Sequence, residues 1–101
     1  MTLEAQRTST PIDATTLAAI EDRVAMGDRG AFAELVDLLL PRVHRQLEAA
    51  LGASEADALA SSVLVEAWRT APRIRRSGAS IAAWALARTA TLASAAGSAA
   101  A

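Results

Sequence analysis

Alanine most limits what this chain can build: it fills 27 of 101 positions, while only Phe32, Trp68 and Trp84 are aromatic. Alanine is the strongest helix former and is depleted in strands, so the bias points to helices. The core of such a chain has to come from Ala, Leu, Val and Ile. At 52% hydrophobic residues the composition suffices for one small domain. A domain of this size hides roughly 60 to 70% of the surface its unfolded chain exposes, so its stability is modest unless a partner covers part of it. No strand-like alternation and no internal repeat is visible in the sequence.

Apolar spacing and capping residues divide the chain. Residues 1–12 are polar, rich in Thr and Ser, and read as a flexible lead-in. After Asp13 or Thr15 as cap, Leu17, Ile20 and Val24 fall at helical spacing and stop at Gly27. Asp28 caps a second run, Phe32, Leu35, Val36 and Leu39, for which Pro41 predicts a break or kink. The pattern resumes through Val43, Leu47 and Leu51 to Gly52, a natural stop. Ser54 with Asp57 resembles a capping box, opening a helix with Leu59, Val63 and Ala67 on one stripe and Ala60, Leu64 and Trp68 on the next. Residues 71–80 hold Pro72, Gly78 and three Arg and read as a basic loop. Ser80 caps a last helix with a spine of Ile81, Trp84, Ala85, the aliphatic stem of Arg88, and Leu92. Fraying is expected from about Ala95, leaving 97–101 as a tail. The expected fold is therefore all-α, a bundle of four to five helices over residues 13–96, whose core gathers Phe32, Leu35, Leu39, Val43, Leu47, Leu59, Val63 and Trp84.

The net charge of −1 hides an uneven distribution. Residues 1–66 carry all eleven acids against five Arg, a net −6, whereas residues 67–101 carry five Arg and no acid. That asymmetry points to an anionic partner at the basic end. Glu21, Asp22, Glu34 and Asp37 read as a solvated helix face.

The residue inventory excludes several chemistries. With no Cys, disulfides and thiol redox chemistry are ruled out, and a single His makes a zinc site untenable. His44 reads as a surface or boundary histidine. No Ser/His/Asp set, no metalloprotease motif and no Gly-rich phosphate loop is present, so an enzyme, a cofactor and a small-molecule substrate are not expected. No segment approaches the ~20 apolar residues of a membrane span, and MTLEAQRTSTPIDATT lacks the basic and apolar regions of a leader. A cytoplasmic location without membrane contact is the expectation.

Two stretches carry a resemblance. GDRGAFAELVDLLLPRVHRQLEAALG, residues 27–52, resembles the opening of the region 2 domain of bacterial sigma factors of the extracytoplasmic function group, with Gly27, Asp28, Ala31, Phe32, Leu35, Pro41, Arg42, Val43, Leu51 and Gly52 matching its pattern. VLVEAWRTAPRIRRSGASIAAW is similar to that family's hydrophobic run into a Trp-Arg pair, followed by a loop with an Arg and a second Trp; Val63, Leu64, Val65, Trp68, Arg69 and Trp84 fit. The similarity spans roughly residues 15 to 93. It implies a transcription role, with docking on the clamp helices of RNA polymerase and opening of promoter minus-ten DNA. By position, Leu64, Glu66, Trp68 and Arg69 would fall on the polymerase-binding helix. Trp84 would face DNA, with Arg73, Arg75, Arg76 and Arg88 to hold phosphates.

Departures from the family pattern are equally plain. Ala58 and Ser61 stand where the family has an Asp and a Gln that contact polymerase, and Ala90 and Thr91 replace its Arg-Asn pair. The basic stretch that should follow is LASAAGSAAA. Few phosphate contacts remain, so weak promoter binding is expected. Both Trp residues sit on apolar stripes and suit core packing, with base stacking open to Trp84. Three functions are open: a sigma-like domain in transcription initiation; a degenerate sigma-like module that binds another protein, such as an anti-sigma factor; or, on composition alone, an unrelated helical bundle that self-associates through Ala-rich faces. The second DNA-binding domain of a sigma factor, region 4, is not seen in this sequence.

Overall fold

A computed structural model of the chain describes residues 12–100, with side chains as far as Ala96. Four helices make the domain: α1 (Ala14–Ala25), α2 (Arg29–Leu51), α3 (Ala53–Arg76) and α4 (Ile81–Ala100). Asp13 is the N-cap of α1 and accepts the Thr16 N–H at 2.7 Å. Those bonds, the backbone one first, hold its carboxyl below the ordinary value of 3.8. Gly27, at φ 90°, turns the chain out of α1 in a conformation that costs other residues. Asp28 then caps α2, accepting the Ala31 N–H at 3.0 Å, as expected.

Leu35, Leu39, Val43 and Leu47 lie four residues apart and are all buried, forming one continuous ridge along α2. Burying each Leu or Val side chain is worth roughly 1.5 to 3 kcal/mol. That ridge overrides the break expected at Pro41: α2 runs through it unbroken. Pro41 and Asp37, whose carbonyl loses its helical donor, are both exposed, so water takes the lost bond. α2 packs against the other three helices, and α3 packs against α1 and α4 as well. The bundle is 20 Å thick along its shortest axis, two helix diameters, so each helix keeps a solvent face.

Three further expectations are corrected. Ser54 does not cap α3, because Gly52 at φ 90° ends α2 and opens α3 in a one-residue turn, leaving Ser54 inside the helix. Asp57 pairs instead with His44 of α2, at 2.7 Å from its Nε2. Residues 71–80 are not one loop: α3 continues past the exposed Pro72 to Arg76, held by the buried Ala71 and Ile74, and only Ser77–Ser80 turn. The spine of α4 is Ile81, Ala82, Ala85 and Thr89; Arg88 is exposed, and Trp84 and Leu92 are half-buried. Thr89 satisfies its buried hydroxyl by donating to the Ala85 carbonyl at 2.8 Å. Of the expected core, Leu35, Leu39, Val43, Leu47 and Val63 are buried, while Phe32, Leu59 and Trp84 pack partly exposed at its margin.

α4 is helical to Ala100. The expected frayed tail over 97–101 falls where side chains lie outside those described, as does the lead-in apart from the exposed Ile12. No helix among the described residues is long and apolar enough to cross a membrane.

Candidate protein-docking face and the basic end of the bundle

Acidic α1 and basic α3 are locked together where α4 begins. Glu21 on α1 is 1% exposed, not part of a solvated face. It accepts the backbone N–H groups of Ile81 and Ala82, the latter at 3.1 Å, and the Ser80 hydroxyl at 2.8 Å. A carboxylate over the free N–H groups of a helix start meets both their hydrogen-bonding need and the helix dipole. Ser80 also caps α4 directly, taking the Ala83 N–H at 3.2 Å as expected.

Arg75 completes this clasp. Its guanidinium reaches Asp22 Oδ1 through Nη2 at 2.8 Å and Nε at 3.0 Å. Its Nη1 donates to the Ala79 carbonyl at 2.9 Å and lies 3.5 Å from Glu21. Arg75 was expected to hold phosphate; its geometry makes it an internal tie instead. Arg88, expected beside it, is half-exposed and pairs through Nε with Glu66 at 3.2 Å. Of the residues expected at DNA, Arg73 and Arg76 are exposed and join no ion pair among the described residues, and Trp84 is half-buried.

The expected partner-binding residues also divide. Leu64 is 6% exposed and belongs to the core, since it lies on the inner stripe of α3. Trp68 is half-buried with its ring tilted 50° against Phe32 at 4.8 Å, so core packing takes most of it. Glu66 is engaged by Arg88, and Arg69 is exposed.

Around Arg69 lies a surface that sequence reasoning missed. Met26, in the turn after α1, is 87% exposed, and Val65 on α3 is 47% exposed. Met26 shares one depression with Trp68, Arg69 and Pro72, and Val65 shares the next with Arg29, Phe32 and Trp68. Together they make an apolar strip edged by cations. Its signal in the sequence was Val65 lying off both stripes of α3; Met26 gave none, because a turn residue has no periodic context. Toward the N-terminal half of α3, His44 and Asp57 flank a groove with Pro41, Arg45 and Glu48. Among the described residues no group of three His, Cys, Asp or Glu is placed to hold a metal ion.

This arrangement is suited to binding. It offers a helix face with an apolar middle and free guanidinium groups. No protein-family model, curated protein or solved structure matches the chain.

Proposed function

We propose that the domain acts in transcription initiation as a module like region 2 of a sigma factor, binding the RNA polymerase core through the exposed face of α3 and making little contact with promoter DNA of its own. One observation carries this reading: Val65 and Arg69 are exposed on the helix that the family resemblance assigns to polymerase, beside the outlying Met26. Exposed apolar side chains ringed by cations are the usual makings of a protein interface. The residues that match the family pattern also have coherent structural roles here. Asp28 caps α2, Leu35 and Val43 fill the core, and Phe32 meets Trp68.

A second reading has its own support. With Arg75 and Arg88 engaged internally and the basic stretch after Trp84 missing, a module that binds only another protein, such as an anti-sigma factor, fits the same face. Co-purification decides between them. The tagged domain is incubated with core polymerase and, separately, with anti-sigma proteins, alongside an Arg69→Glu variant whose circular dichroism is unchanged. Retention of polymerase by the wild type and its loss in the variant supports the first reading. Retention of an anti-sigma protein alone supports the second, and retention of neither overturns both.

A further inference from the structure

We infer that the exposed face of α3 takes an acidic amphipathic helix; this rests on the protein-docking reading above and names the chemistry of the partner. Exposed positions of α3 include Ala58, Ser62, Val65, Arg69, Pro72 and Arg76, which recur in alternating steps of four and three, with Ser61 and Arg73 exposed beside them. Such spacing keeps a single stripe turned toward a neighbouring helix along its length, which is the geometry of helix on helix. Among the described residues no helix covers this stripe.

The stripe has two halves. Near its middle, Val65 and the neighbouring Met26 offer apolar surface that is open to water. Toward the C-terminus, Arg69, Arg73 and Arg76 follow one another at helical spacing, all exposed, and none joins an ion pair among the described residues. The acids that could have neutralised them are engaged elsewhere: Glu66 with Arg88, Glu21 and Asp22 with Arg75. Three uncompensated guanidinium groups at steps of four and three call for carboxylates at matching steps on a facing helix, with an aliphatic side chain one turn away to sit between Met26 and Val65.

A nucleic acid is the less suited occupant. The chain's overall charge is −1, so a long polyanion meets repulsion from the acidic first half, whereas a short helix senses chiefly charges within a Debye length of about 8 Å. The nearest aromatic, Trp68, is half-buried and packs against Phe32, so part of its ring is already engaged.

The probe is a synthetic helical peptide with Glu at i, i+4 and i+7 and Leu one turn away, compared by fluorescence anisotropy with the same peptide carrying Lys for Glu. The domain should bind the acidic peptide and not the basic one. Replacing Arg69, Arg73 and Arg76 together by Glu should weaken the acidic peptide at least about tenfold and allow the basic one to bind. If the triple variant loses helicity, Arg69→Gln serves and should give a smaller loss in the same direction. Equal affinity for the two peptides, or none for either, overturns the inference. So does displacement of the acidic peptide by an equimolar single-stranded oligonucleotide. Core polymerase retained without peptide selectivity defeats this inference alone; peptide selectivity without polymerase defeats only the proposed function.

Discussion

Glu21 accepts the backbone N–H of Ala82 across a sequence separation of 61 residues, at 3.1 Å. One buried carboxylate thereby ties the first helix of the domain to the start of the last. Its Oε1 faces Arg75 and its Oε2 takes the Ser80 hydroxyl, so each oxygen has more than one partner. No buried side-chain polar atom among the described residues lacks a hydrogen-bond partner. The clasp fixes where α4 leaves the bundle, and with it the relation between the α3 face and Trp84.

Removing this carboxylate should therefore unsettle the whole domain. Glu21→Ala leaves two N–H groups of α4 without an acceptor and Arg75 with only Asp22 and the Ala79 carbonyl, which costs about 3 kcal/mol, the scale of breaking a buried pair. For a domain of this size that is a fall in Tm of more than about 10 °C. Glu21→Gln keeps one acceptor oxygen and should fall between. Thermal melts followed by circular dichroism check both, and an unchanged Tm in Glu21→Ala would show that the clasp contributes nothing.

The cap on α1 gives a pH dependence whose sign is determinate. Hydrogen bonds from Thr16 to the charged form hold the Asp13 carboxyl below its ordinary value of 3.8, so its contribution is complete above that value and disappears as pH falls through the lowered one. Asp13→Ala should lower Tm at neutral pH, and the gap to wild type should close in strong acid. Asp13→Asn, which keeps an accepting oxygen, should retain most of the stability. A gap that persists unchanged to the lowest pH would mean that the charge is not what stabilises α1.

Much of the fold was legible because its signals are local. The ridge from Leu35 to Leu47, the caps Asp28 and Ser80 and the stop at Gly52 all lie within a few residues of what they specify. What escaped was decided at long range or by exposure. Pro41 and Pro72 look like helix breakers, but each sits on a solvent face opposite buried side chains, where a lost bond is replaced by water. Glu21 and Arg75 look like solvated charges because their partners lie 53 to 61 residues away. The docking face was half legible: Arg69 was read from its place in the family resemblance, whereas Met26 becomes part of the same surface only when α1 and α3 pack together.

Neighbouring leucines of α2 should separate core from surface. Leu35 is 1% exposed and Leu38 is 39% exposed. Leu35→Ala should cost about 2 to 5 kcal/mol, while Leu38→Ala should change stability by less than about 0.5 kcal/mol. Chemical denaturation of the two variants measures the difference. Equal losses would mean that the ridge of α2 does not face the core.

Binding to duplex promoter DNA should be weak or undetectable, because of the four arginines expected to hold phosphates only two join no ion pair among the described residues. Arg75 is held by Asp22 and Arg88 by Glu66, which leaves Arg73 and Arg76. Two contacts to a single strand give a salt slope of only about −1.4, so the electrostatic share of any binding is small and changes little as salt is raised. Of the two forms of DNA, a single-stranded, minus-ten-like strand should be the less weakly bound, since Trp84 is only half-buried. Arg73→Ala combined with Arg76→Ala should abolish that binding and flatten its salt dependence without lowering Tm. Arg75→Ala should do the reverse, lowering Tm by releasing Glu21 and Asp22 while leaving the salt slope of the folded fraction intact. Anisotropy titrations at several salt concentrations, paired with melts, separate the two. Tight duplex binding by the wild type, or single-strand binding indifferent to the double substitution, would put the DNA-facing surface on another part of the bundle.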